Sequence, residues 1–153
     1  MTAIAPGQPA PAFTVETDEG PRTLEYYRGK RLVLYFYPKD DTSGCTSEAK
    51  AFRDDFAAFR AAGAEILGVS KDGVASHKKF RAKHELPFPL AADIDGTLCA
   101  AFDVWKEKSM YGKTYMGIER STFLIDEAGV VRAVWRKVKV TGHSAEVLKA
   151  LGA

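Results

Sequence analysis

Residues 31–62 read RLVLYFYPKDDTSGCTSEAKAFRDDFAAFRAA, and this stretch decides the fold. Arg31 to Tyr37 is an unbroken run of leucine, β-branched and aromatic residues that stops at Pro38, the pattern of a strand covered on both faces. A polar loop follows. From Thr46 to Ala62, the residues Ala49, Phe52, Phe56 and Phe59 recur at spacings of three and four, which predicts an amphipathic helix closed by Gly63. A strand buried on both faces is a central strand, and the loop at its carboxyl end lies where open α/β sheets bind their ligands.

The alternation continues downstream. Glu65 to Ser70 is a second apolar strand, Val74 to His84 a polar helix with Phe80 facing inward, and Pro87 to Leu90 leads into a third, shorter extended segment. This β-α-β order implies parallel neighbours joined by right-handed crossovers. Ser121 to Asp126 and Val130 to Val138 flank the turn Glu127-Ala128-Gly129 and read as an antiparallel hairpin, after which a helix from Ser144 to Leu151 closes the chain. Upstream, Pro6, Pro9 and Pro11 predict an extended segment along the surface, and Phe13 to Arg22 a small hairpin. The expected architecture is α/β: one domain over 1–153, a three-layer sandwich with a mixed central sheet and an N-terminal hairpin extension.

Composition narrows the function. Lys and Arg number 22 against 20 Asp and Glu, a balance too even for sequence-independent binding to nucleic acid. The longest aliphatic and aromatic run is Leu32 to Tyr37, far short of a bilayer span, so no membrane partner is expected. The opening MTAIAPGQPAPAF has neither a basic nor an apolar leader region, which makes the reducing cytoplasm the expected location and thiols the expected state of the two cysteines.

Cys45 is the residue most suited to chemistry. It follows a central strand and stands at the start of the Thr46 helix, where the unpaired N–H groups of a first turn stabilise negative charge. A free thiol of pKa about 8.5 is only about 3% ionised at pH 7, so such a setting matters to a thiol nucleophile. Complete ionisation yields only about thirtyfold in rate, however, and a fast thiol enzyme also needs donors fixed around the atom under attack. The flanking Lys39 to Gly44, Thr46 and Ser47 are polar or small, which argues against an apolar pocket around an inert sulfur.

The string YFYPKDDTSGCTSEAKAFRD resembles the peroxiredoxin active-site segment, with Pro38, Thr42 and Cys45 in the family's Pro-x3-Thr-x2-Cys spacing. The likeness runs from GQPAPAF at Gly7 to Phe13, through GIERSTFLID at Gly117 to Asp126, to VTGHSAEVL at Val140 to Leu148, and is closest to the bacterioferritin-comigratory-protein or Q-type subgroup. It implies a thioredoxin-like fold and a thiol-dependent peroxidase that acts on hydrogen peroxide and organic hydroperoxides. Cys45 would be the peroxidatic thiolate, oxidised to a sulfenic acid. Thr42 would hydrogen-bond the peroxide, Pro38 shield the sulfur from water, Arg120 supply the cation, and Glu48 orient that arginine. Thr42 also suits a helix N-cap. The resemblance further implies thioredoxin or a similar thiol as reductant, a monomer, and no metal or organic cofactor.

In many Q-type members a second cysteine lies five residues after the first or on the following helix, but those positions here are Lys50 and the neighbourhood of Arg81. Cys99, on an expected short helix with Leu98 and Phe102, is the one candidate for resolving, with core packing as its alternative. Two rival classes use the same scaffold. A thiol-disulfide oxidoreductase would need a Cys-x-x-Cys pair that Ser47 and Glu48 do not provide, and a non-enzymatic redox sensor would oxidise without turnover.

The remaining signals fall short of a site. Gly112-Lys113-Thr114 lacks the earlier glycine of a phosphate-binding loop, since Glu107 stands there. His77, His84 and His143 are scattered and compose no metal site. The run His77, Lys78, Lys79, Arg81, Lys83 reads as a solvated helix face, His143 as a helix-start residue, and Trp105 and Trp135 as core or rim aromatics.

Overall fold

The computed structural model describes residues 4–152. Its centre is β3 (Arg31–Phe36), which pairs in parallel with β4 (Ala64–Ser70) and antiparallel with β8 (Ser121–Ile125). On one side β4 pairs in parallel with the short β5 (Leu90–Ala92), against which the hairpin of β1 (Thr14–Thr17) and β2 (Gly20–Thr23) adds antiparallel. On the other side β9 (Val131–Trp135) pairs antiparallel with β8. Among the described residues these make one mixed sheet of seven strands in the order β2-β1-β5-β4-β3-β8-β9.

The pleat of β3 sorts the core into two faces. Leu32, Leu34 and Phe36 point into one cluster with Tyr27, Leu98, Cys99, Phe102, Val104 and Ile118, which α4 (Thr97–Ala101) and a 3-10 turn at Glu25–Tyr27 cover. Val33, Tyr35 and Tyr37 point the opposite way. There they meet Phe52 of α1 (Ser43–Asp54), Phe59 of α2 (Phe56–Ala61), Phe80 of α3 (Val74–His84) and Val147 of α5 (His143–Ala150). Helices on both faces give the three layers that the periodicity predicts, and each fully buried aromatic contributes about 1.5–3 kcal/mol. Before β1 the chain is not extended throughout as expected: it turns at Pro6 and Gly7, where Gln8 donates its N–H to the Ala5 carbonyl, and Gly7 and Ala10 donate theirs to Val131 and Gly129.

The single helix expected from Thr46 to Ala62 is two. Its first turn begins earlier, at Ser43, because Thr42, Ser43, Thr46 and Ser47 are all residues that favour helix starts and leave the boundary open in sequence. It breaks at Asp55, whose carboxylate accepts the Ser144 hydroxyl at 2.8 Å and joins α1 to α5. A second two-stranded sheet is also present: β6 (Trp105–Met110) and β7 (Lys113–Ile118), turned by Tyr111 and Gly112 at φ 52° and 76°. Two successive positive φ values are the geometry of a tight hairpin turn, which is why a glycine stands second. Apart from the buried Ile118 at the end of β7, its residues are polar or exposed on both faces, so no clean alternation marks them in sequence.

No described helix is long and apolar enough to cross a membrane, and no cluster of three His, Cys, Asp or Glu among the described residues could hold a metal ion.

Candidate active site

Cys45 is the third residue of α1, just past the carboxyl end of β3, so the positive end of the helix dipole faces its sulfur. The register delivers the cation. Phe36 pairs with Ser121, which sets Arg120, the residue before β8, alongside the end of β3 where the loop to Cys45 departs. Arg120 Nη2 donates to Cys45 Sγ at 3.3 Å and Nη1 donates to Glu48 Oε1 at 2.6 Å. One guanidinium fork thus spans two residues of α1 a turn apart, and the planar fork fixes both distances at once. Gly44 gives it room, since a β-carbon there would stand 3.3 Å from Nη2.

The surroundings of the sulfur differ from the sequence reading. Cys45 is 2% exposed and belongs to the aromatic core cluster of Tyr35, Tyr37 and Phe52, despite its polar neighbours in the chain. Apart from the buried Asp40, the polar flank is exposed or half-buried, while the helix's inner side carries Cys45, Glu48, Ala49 and Phe52 into the core. The sulfur is therefore buried but touches a positive group. Thr42 occupies the N-cap position without capping, because its hydroxyl donates to the Lys39 carbonyl at 2.9 Å. Pro38 is exposed in the loop that follows β3, and the core cluster packs on the inner side of Cys45.

Glu48 is 1% exposed and its Oε2 has no hydrogen-bond partner. Burial pushes its carboxyl up to about 7, offset only in part by Arg120. Arg120 is itself held charged: its own burial works against the cation, but Glu48 and Cys45 outweigh it. Because folded Glu48 binds its proton more tightly than in the unfolded chain, its ionisation destabilises the native state as pH rises from about 4.5 to 7. Glu48→Gln keeps the acceptor and removes that penalty. The variant's stability relative to the parent is expected to grow across this window by at most about 3 kcal/mol. Urea midpoints at pH 5 and pH 8 check this, and an unchanged difference would refute it.

Residue type alone did not expose several further neighbours. Tyr35 has a buried hydroxyl without a partner, and burial, then the Glu48 and Cys45 charges, hold it far above the ordinary phenol range. Lys108 reaches back from the unpredicted hairpin, its stem lying over Gly117, and its ammonium is pushed down by burial and by Arg120. The supposed solvated face of α3 is solvated only in part. His77 is fully buried, and Arg81 pairs with Asp18 at 2.8 Å and with Glu19. His143 starts α5 as expected, packed edge-on to Phe52 and Trp135, with Nε2 2.8 Å from the Thr122 hydroxyl.

Cys99 lies across the sheet. It is fully buried in the cluster on the far face of β3 from Cys45, on α4, whose first N–H groups are held by the buried Asp93 carboxylate at 2.7 and 3.0 Å. Burial and Asp93 push its thiol well above the usual range, away from the reactive thiolate.

Residues 6–134 match the model of the AhpC/TSA family. The chain belongs to that family. It is 54% identical over 147 residues to a putative Bcp peroxiredoxin of Coxiella burnetii, covering 95% of this chain and 97% of that one. It is also 53% identical to peroxiredoxin Bcp of Bacillus subtilis, covering 95% and 93%. Among solved structures, a mutant of Xylella fastidiosa PrxQ superposes with a TM-score of 0.93 at 42% identity, covering 99% of this chain and 98% of that one. Xanthomonas campestris peroxiredoxin Q does so at 0.87 and 52%, covering 92% and 89%. The protein is a peroxiredoxin of the Bcp/PrxQ kind with a thioredoxin-like fold, and thus a thiol-dependent peroxidase.

Proposed function

We propose that the chain works as one catalytic domain over 1–153 in which Cys45 is the peroxidatic residue, reducing hydrogen peroxide and organic hydroperoxides. The observation that carries this reading is the Arg120 fork, 3.3 Å from Cys45 Sγ and 2.6 Å from Glu48. The thiolate attacks the terminal peroxide oxygen, the O–O bond breaks, and sulfur becomes a sulfenic acid while the other oxygen leaves as an alkoxide or hydroxide that takes a proton from solvent. Arg120 donates to the charge that gathers on the leaving oxygen, and Glu48 keeps the guanidinium in line. Thr42, at the mouth of α1, hydrogen-bonds the bound peroxide, and Pro38 borders the entrance. Organic substrates are supported by the alkyl peroxide reduction ascribed to the bacterioferritin comigratory protein of Xanthomonas campestris.

The sulfenic acid is then reduced from outside. A disulfide needs Cα atoms within about 7 Å, and Cys99 stands behind the central sheet in the opposite core cluster. An external thiol, thioredoxin or a similar small dithiol protein, attacks sulfur to release water and form a mixed disulfide, which its second thiol resolves. The cycle uses one cysteine of a cytoplasmic monomer and no metal or organic cofactor. Intact-mass measurement after one equivalent of peroxide tests it: the expected product gains one oxygen, whereas the loss of two hydrogens would mean an internal disulfide. Cys99→Ser is expected to keep thioredoxin-supported turnover within about twofold, since it removes no group from the cycle.

A further inference from the structure

Past Tyr37, the loop that leads from β3 to Cys45 has one residue turned inward. Pro38, Lys39, Asp41 and Thr42 are exposed, whereas Asp40 is 8% exposed. Its carboxylate accepts three hydrogen bonds: from the Tyr37 hydroxyl at 2.5 Å, the Ser76 hydroxyl at 2.8 Å and His77 Nδ1 at 2.7 Å. Its own N–H donates to Asp72, whose carboxylate also holds the Ser70 hydroxyl. His77, fully buried on α3, faces the Ala91 carbonyl of β5 with Nε2 at 2.9 Å. One ring nitrogen thus faces the loop carboxylate and the other a sheet carbonyl, so the ring ties the loop to the sheet.

Such a cluster is an expensive way to make a core, because buried polar groups hold together only when every partner is in place. It stands where a fixed backbone matters. The next residue, Asp41, sits at φ 61°, a left-handed conformation that a non-glycine keeps only where its neighbours impose it, and Thr42 and α1 follow directly. We propose that Asp40 and His77 are positioning residues for peroxide reduction: their buried pair fixes the loop that sets Cys45 against Arg120. This rests on Cys45 being the peroxidatic residue.

Three variants separate positioning from mere stability. The side-chain amide of His77→Asn stands near the position of Nδ1 and can still donate to Asp40, that of His77→Gln reaches the position of Nε2 and the Ala91 carbonyl, and His77→Ala does neither. Stopped-flow oxidation of Cys45 by hydrogen peroxide, per folded molecule, is expected to slow about 10–100-fold in the Ala and Gln variants, as a displacement near 1 Å would cause, and to recover to within about threefold in Asn. Alkylation of Cys45 by iodoacetamide at alkaline pH, where the thiol is ionised with or without an aligned guanidinium, should stay within about threefold of the parent or rise. Equal oxidation rates in all variants, a Gln variant as fast as Asn, or a parallel fall in alkylation would overturn the proposal. Ser76→Ala removes one bond to Asp40 without touching the ring, and is expected to slow oxidation about 3–10-fold if the His77 variants do not fold; an unchanged rate overturns it equally. Dimedone labelling of the parent after peroxide keeps the two readings apart. No label on Cys45 would overturn its peroxidatic role and this inference with it, whereas labelled Cys45 with unaffected variants would overturn this inference alone.

Discussion

Cys45→Ser is expected to abolish peroxide turnover while leaving the fold intact. Serine is nearly isosteric, and its hydroxyl can still accept from Arg120 Nη2, which sits 3.3 Å from the sulfur in the parent. The buried site is thus neither emptied nor left with an unpaired donor, and the cost to stability is expected to stay within about 2 kcal/mol. What disappears is the soft, easily ionised nucleophile, and no second group replaces it, because Cys99 lies behind the sheet with its thiol held protonated. Steady-state peroxide consumption with a recycling dithiol, read beside the thermal midpoint, checks both halves. Residual activity near the parent level would remove Cys45 from the mechanism.

The second large effect concerns Arg120. Arg120→Ala is expected to slow Cys45 oxidation by about 30–1000-fold, or about 2–4 kcal/mol, the range for removing a preorganised donor to a developing oxyanion. Thiolate depletion alone is limited to about thirtyfold, so a smaller loss, restored by raising the pH, would mean that the guanidinium only ionises sulfur. Arg120→Lys should fall between, because one ammonium cannot reproduce a fork that meets Cys45 at 3.3 Å and Glu48 at 2.6 Å together. The Ala variant also leaves Glu48 buried without its partner. Combining it with Glu48→Gln removes that penalty, and the oxidation rate of the pair isolates the role of the cation.

Much of this was legible in the chain. Runs such as Leu32 to Tyr37 and the spacing of Ala49, Phe52 and Phe59 report burial directly, because a strand or helix that packs on a sheet must repeat its apolar residues at its own period. That logic yields the central strand, the helix after it and the order of the parallel unit. It is blind to hydrogen bonds between distant segments. Asp40 reads as one more loop acid and His77 as one member of a basic run, yet they meet at 2.7 Å, a pairing that only the docking of α3 on β5 creates. The hairpin carrying Lys108 was missed for a related reason. Both of its faces meet solvent along much of their length, so no face is required to be apolar. Arg120 was legible only through the family resemblance, because what brings it to Cys45 is the antiparallel register of β8 on β3.

The two sulfurs packed on opposite sides of one continuous sheet have a consequence for life under oxidant stress. In the one-cysteine cycle proposed above, no neighbouring thiol traps oxidised Cys45, which would persist until a reductant arrives by diffusion, its lifetime tracking the supply of that reductant. When the supply fails, a second equivalent of oxidant competes for the same sulfur and converts it to the sulfinic acid, from which ordinary thiols offer no return. The sheet that stabilises the molecule thereby ties its survival as a catalyst to the redox economy around it.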